Sequence, residues 1–212
     1  MVLPSGRVKV LDFGIARSSS PSEVDEAATA TRALDGIGQE IPLATGFREV
    51  LTYLRERPDA ALFGAQAVNA YADPARMTED VDVLSTRAAE LAEAIRARLS
   101  ERFHIALRIR EVKQGTGFRV YPLRKPSNRH LVDVRQVDVL PEHLVMEGVQ
   151  VIAPGPLAAM KAAAAAARSG HEKGLSARLA LARLLRARPE LRDAARSSDL
   201  ARSPALAPEA IA

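Results

Sequence analysis

The 212-residue chain contains no cysteine and no tryptophan. Disulfide frameworks, thiolate metal centres and cysteine nucleophiles are thereby excluded. Aromatic residues make up only 4% of the sequence, so the 47% of apolar residues must build a core mainly from Leu, Val and Ala, with a few Phe and Tyr. No apolar run approaches the ~20 residues that a membrane-crossing helix needs. The N-terminus also lacks the basic-then-apolar pattern of a secretory signal, so a cytoplasmic protein with no membrane partner is expected. Net charge is small as well: 30 basic residues against 26 acidic ones leave +4, which is mild support for a polyanionic partner. The arginines crowding the C-terminal third suit either a polyanion-facing surface or a solvated helical face. No P-loop, zinc-ligand cluster or Ser-His-Asp arrangement competes for the chemistry, and the length bounds the chain to one ordinary domain with a tail at each end.

What is present concentrates in residues 62–85, L-F-G-A-Q-A-V-N-A-Y-A-D-P-A-R-M-T-E-D-V-D-V-L-S. The pattern predicts a short buried strand ending at Phe63, a turn at Gly64 and Ala65, and a helix over residues 66–71. A Pro-containing loop and a second strand carrying Asp80 and Asp82 follow. Alternation along a strand puts Asp80 and Asp82 on one face and Val81 and Val83 on the other. Two carboxylates aimed at one point repel unless a cation lies between them, and a divalent metal with oxygen ligands resolves the conflict. The glycine turn leading into a helix adds backbone N–H groups of the kind that bind phosphate.

The run G-A-Q-A…Y…R-M-T-E-D-V-D-V-L resembles the signature of the minimal nucleotidyltransferases of the polymerase beta superfamily, especially their AbiEii-like toxin branch, and the resemblance extends over residues 43–186. It implies an α/β (α+β) nucleotidyltransferase fold: a small mixed sheet, helices on one side, and a C-terminal helical pair. It also implies transfer of a nucleoside monophosphate from ATP or another NTP to an acceptor hydroxyl, with release of pyrophosphate. The acceptor (small molecule, RNA or protein) is left open. By resemblance, Asp80 and Asp82 bridge two Mg²⁺ ions, while Gly64, Ala65, Arg76, Thr78 and Lys161 contact the nucleotide. Ala65 stands where relatives carry Gly or Ser, so a hydroxyl contact is missing there although the backbone N–H remains.

A third carboxylate is expected from the neighbouring strand, within R-H-L-V-D-V-R-Q-V-D-V-L at residues 129–140. An aspartate amid apolar strand residues is costly unless it is paired or binds a metal. Asp133, in V-D-V, matches the family's setting and is taken as the third metal ligand. Asp138 is its rival, but five residues on it would point to the opposite face of an unbroken strand. His130 is assigned no chemistry. Arg119, Arg124 and Lys125 suit either phosphate or the protection of an edge strand.

Elsewhere, Phe47, Val50, Leu51 and Leu54 recur at helical spacing before Pro58, and Leu91, Ile95 and Leu99 mark a second helix with Ser85 or Thr86 as its N-cap. Alternating apolar residues predict strands around Leu107 and Val120, and a hairpin through Met146, Glu147 and Gly148. An Ala-rich helix is expected from Pro156, followed by one with a buried stripe of Leu175, Leu179, Leu184 and Leu185. Lys161, Arg168 and Lys173 match the basic positions of the family's closing stretch. Ala177 and Ala180 stand where relatives show Asp-x-x-Asp, which favours the alternative of a catalytically weakened member acting as a binding or toxin–antitoxin partner.

Residues 6–17, G-R-V-K-V-L-D-F-G-I-A-R, are similar to the Asp-Phe-Gly magnesium loop of bacterial Ser/Thr protein kinases, with Asp12 and Phe13 in the motif and Thr29 or Thr31 as the matching phosphorylation site. Too few residues precede Asp12 for the glycine loop, strand lysine and catalytic-loop aspartate of a kinase, so an inactive remnant is expected. Three stretches result: 1–40, kinase-like remnant and disordered linker; 41–188, nucleotidyltransferase domain; 189–212, disordered tail. Deleting residues 1–40 is accordingly expected to leave the thermal midpoint of the remainder unchanged within error; a fall of several degrees in differential scanning calorimetry would show that V-K-V-L packs as a strand.

Overall fold

The computed structural model describes residues 43–123 and 129–194. The kinase-like segment, Arg124, Lys125 and the chain beyond residue 194 lie outside the described residues. A seven-stranded sheet organises the fold, with strands β1 (Ala60–Leu62), β2 (Val81–Ser85), β3 (Leu107–Val112), β4 (Gly117–Pro122), β5 (Val132–Gln136), β6 (His143–Met146) and β7 (Val149–Ile152) in the order β3-β4-β5-β2-β1-β7-β6. The pairs β2–β5 and β1–β7 are parallel and the others antiparallel, so the sheet is mixed as expected. Its edge hairpin β6–β7 turns at Glu147 and Gly148, both at positive φ (52° and 81°), the conformation that matches a two-residue turn to strand twist.

Helices cover both faces rather than one. Val81, Val83, Val132 and Val134 are fully buried on the face packed by α1 (Leu43–Tyr53) and α3 (Ala88–Phe103), which an Arg98–Glu49 ion pair at 2.6 Å ties together. The opposite face carries Asp82, Leu84, Asp133 and Arg135, and lies under α2 (Gly64–Tyr71), α4 (Pro154–Ala167) and α5 (Glu172–Ala187). The physical reason lies in β2 and β5, which sit centrally and form a parallel pair, an arrangement that needs cover on both sides. A short helix α6 (Leu191–Ala194) follows within the stretch expected to be disordered.

Two local expectations change. Helix α4 starts at Pro154 rather than Pro156, with proline in the first turn where its missing N–H costs nothing. In α5 the buried positions are Gly174, Ala177, Ala180 and Leu184, whereas Leu175 and Leu179 are 62% and 46% exposed. Close packing of α5 on its neighbours selects the small-residue face, so the predicted leucine stripe is mostly turned outward.

The start of α3 is also capped from a distance. Ser85 Oγ accepts from the Arg87 N–H at 3.0 Å, but the first helical N–H, that of Ala88, donates to Gln136 Oε1 at 2.9 Å, and the Gln136 amide donates to Thr86 O at 2.8 Å. One side chain of β5 therefore holds the β2–α3 junction. Replacing Gln136 by Ala is expected to cost about 1 kcal/mol, the usual worth of an N-cap, measured by urea denaturation; an unchanged midpoint would show that water caps the helix equally well.

Candidate active site

Sheet register assembles the site. The Phe63 N–H donates to Asp82 O at 3.1 Å, Asp82 pairs with Asp133 across β2–β5, and Asp133 pairs with Arg119 across β5–β4. Cross-strand partners point to the same face, so two carboxylates and a guanidinium stand in one row running from the end of β1 to β4. Gly64 opens α2 at φ +72°, and a Cβ there would collide with Asp82 Oδ2. Both the left-handed backbone and the carboxylate exclude any side chain at Gly64, so the start of α2 packs directly against Asp82.

Asp80 occupies the bend just before β2, one residue short of the strand it was expected to share with Asp82. Its Oδ2 lies 2.9 Å from His130 Nε2, and the His130 ring meets Tyr121 edge-on with centroids 5.6 Å apart. His130, assigned no chemistry from the sequence, thus belongs to the site. The parallel register that pairs Val81 with Val132, together with the Val81 N–H to Leu131 O bond, is the signal that brings the two segments alongside each other.

Asp133 is buried in mid-strand at 3% exposure, while Asp138 lies exposed in a bend beyond the end of β5. Asp133 Oδ2 lies 3.4 Å from Arg119 Nε and 3.5 Å from Arg135 Nη2; its Oδ1 and the Arg135 Nε are buried without a hydrogen-bond partner among the described residues. Arg135, which strand alternation puts on the same face as Asp133, also lies over the Phe63 ring at 4.9 Å. Lys161 reaches the cavity from α4, and Ala65, Arg168, Lys173, Ala177 and Ala180 complete the walls of the same pocket. Arg76 and Thr78 do not line it. Thr78 is buried and accepts from Gln66 Nε2, and the Arg76 backbone is clamped by Asn69, whose Oδ1 accepts its N–H at 3.0 Å and whose Nδ2 donates to its carbonyl at 2.6 Å. Both belong to the loop that delivers Asp80.

Burial pushes the Asp82 carboxyl up to about 7, and the neighbouring Asp80 adds to the rise; Arg135 and Lys161 oppose it. Burial lowers the Lys161 ammonium, while Asp82 holds it up. The donor set suits a hard cation, since its carboxylates offer only oxygen and one buried carboxylate oxygen of Asp133 has no hydrogen-bond partner among the described residues. Among the described residues no three His, Cys, Asp or Glu side chains already converge on one point. Such a site fits Mg²⁺ through one or two carboxylates completed by phosphate oxygens, the ion's usual habit, better than a dedicated protein cage.

No family model matches the chain, and no curated protein matches it. Among solved structures, the Megavirus polyadenylate synthase superposes with a TM-score of 0.54 at 11% identity, over 82% of this chain and 40% of that one. The fold is that of the nucleotidyltransferases. This chain spans less than half the length of that synthase. Weaker likenesses are to an antigenic nucleotidyltransferase-like protein from Paracoccidioides brasiliensis (TM-score 0.39, 20% identity, 68% of this chain and 80% of that one) and to the antibiotic-resistance factor ANT(2'')-Ia (0.47, 20%, 74% and 92%). No described helix of this nucleotidyltransferase fold is long and apolar enough to cross a membrane.

The raised Asp82 carboxyl makes a pH prediction for the metal-free protein. Between its ordinary value of 3.8 and about 7 the folded state binds a proton that the unfolded state has lost, so stability should fall as pH rises through that window and level off above it. Asp82→Asn is expected to flatten this slope and to raise the thermal midpoint at pH 7.5. Parallel pH–stability curves for the two proteins would remove Asp82 as the cause.

Proposed function

We propose that the protein is a Mg²⁺-dependent nucleotidyltransferase that moves a nucleoside monophosphate from an NTP, in the first instance ATP, to an acceptor hydroxyl. The observation that carries this reading is the direct pairing of Asp82 with Asp133 beside the Gly64 turn. Backbone N–H groups of Gly64 and Ala65, with Lys161, bind and orient the triphosphate and neutralise charge growing on the departing pyrophosphate. Asp80, Asp82 and Asp133 would hold Mg²⁺, which would supply further charge neutralisation. Asp133, fixed by Arg119 and Arg135 through one oxygen, presents the other to the acceptor and takes its proton as the acceptor oxygen bonds to the α-phosphorus and the bond to the β-phosphate oxygen breaks. Arg119 and Arg135 hold that carboxylate in place from two neighbouring strands. Arg76 and Thr78 act on the nucleotide only indirectly in this scheme, by shaping the loop before Asp80.

A second reading, a catalytically weakened protein that works through a toxin or antitoxin partner, draws on the alanines at 177 and 180 and on the exposed Leu175 and Leu179 of α5. Nucleotide binding with no Mg²⁺-dependent transfer to any fraction of a cell extract would favour it.

Incubation with α-labelled ATP, Mg²⁺ and fractionated extract is expected to label an acceptor. Asp80→Asn/Asp82→Asn should lose metal-dependent ATP binding while remaining folded. Asp133→Ala should abolish transfer and only weaken ATP binding, while Asp138→Ala should keep most of the activity. If Asp138→Ala abolishes transfer and Asp133→Ala does not, the proton-accepting role moves to Asp138.

A further inference from the structure

The row of side chains continues past Asp133 to the edge of the sheet, and there it becomes wholly basic. Arg119 on β4 pairs directly with Arg110 on β3, and two residues along, Arg108 pairs with Tyr121 and lies over its ring at 5.8 Å. Like charges placed directly opposite each other on a sheet destabilise it, so sheet stability does not account for Arg110 facing Arg119. Arg108 and Arg110 are exposed, and among the described residues neither meets a carboxylate at ion-pair distance. The only carboxylate that Arg119 meets among the described residues is Asp133, which Arg135 shares. Lys113, at the β3–β4 turn, adds an ammonium buried with no hydrogen-bond partner among the described residues, close enough to Arg135, Asp133, Arg168 and Arg119 to feel their charge. The helix that packs on β3 and β4 is α3, and it covers the other face, where Leu107 and Ile109 point. Among the described residues, the half of the active face beyond Asp133 is therefore uncovered by any helix, basic and continuous with the pocket.

We propose that the acceptor is the hydroxyl end of a single-stranded polynucleotide, laid across the β4–β3 face with its terminal hydroxyl at Asp133 and its backbone phosphates on Arg119, Arg110 and Arg108. With strands ~5 Å apart, Arg119 lies about 5 Å and Arg110 about 10 Å along the sheet from Asp133, a spacing that takes one chain leading out of the site. A polycationic small molecule would meet unpaired arginines on this path, and a single small anion would leave Arg108 and Arg110 unused. A flexible polyanion satisfies all of them. The proposal rests on the nucleotidyltransferase reading for the role of Asp133, but the binding surface is tested apart from it.

The full-length protein is titrated, without nucleotide, into fluorescently labelled single-stranded RNA and single-stranded DNA of the same sequence, with fluorescence anisotropy followed over a range of salt concentrations. Affinity should fall with salt, and Arg108→Glu/Arg110→Glu should weaken binding several-fold. For Arg108→Gln/Arg110→Gln the magnitude of the logarithmic salt slope should drop by about 1.4, ~0.7 for each phosphate of the single strand that is no longer neutralised. Both variants should keep the wild-type ATP affinity and a thermal midpoint at or above that of the wild type. Tighter binding of one of the two polymers identifies the acceptor as RNA or DNA. Absence of salt-dependent binding to either polymer, or an unchanged slope in the glutamine variant, overturns the proposal even if ATP transfer is found. Strand binding that responds to the variants while ATP is not bound upholds the surface and fails the transferase reading instead.

Discussion

The parallel pairing of β2 with β5 brings Asp82 and Asp133 side by side in a row where like charges repel. Left alone the pair would pull the sheet apart or force a carboxyl to stay protonated, and the surroundings answer in both ways. Burial and Asp80 raise Asp82, while Arg119, Arg135 and Lys161 supply positive charge from three different elements. The helices over this face, the glycine at 64 and the small side chains of α5 then follow from the need to leave room beside the carboxylates. The opposite face has no such demand and is closed by ordinary Val and Leu packing.

Much of this was legible in the amino-acid pattern because strand alternation is a short-range signal. The segments around Asp82 and Asp133 each interrupt an apolar run with a single acid, and alternation alone sends that acid away from the buried valines. The exposure of Asp138 follows instead from the strand's early end at Gln136. The hairpin at Glu147 and Gly148 is equally local.

What stayed hidden depends on partners far away in the chain. His130 becomes a neighbour of Asp80 only through the β2–β5 register, and Gln136 becomes a helix cap only because α3 begins beside β5. The α5 face failed for a related reason. Periodicity showed that two faces differ, one leucine-rich and one alanine-rich, but the face that turns inward is decided by how near the neighbouring backbone comes. Near approach favours Ala177 and Ala180 over Leu175 and Leu179.

Arg183 joins parts of the site that are distant in sequence. From the inner side of α5 its guanidinium donates to Asn69 Oδ1 at 3.2 Å, to Ala72 O at 3.3 Å and to Pro74 O, and Asn69 in turn grips the backbone of Arg76. The helix that walls the pocket with Lys173 and Ala177 is therefore latched to the loop that sets Asp80. Arg186, one turn on, adds a bond to Asp73 O at 3.4 Å, so any tilt of α5 that widened the pocket would pull on that loop, and the aperture of the cavity and the aim of its first carboxylate are geared to each other.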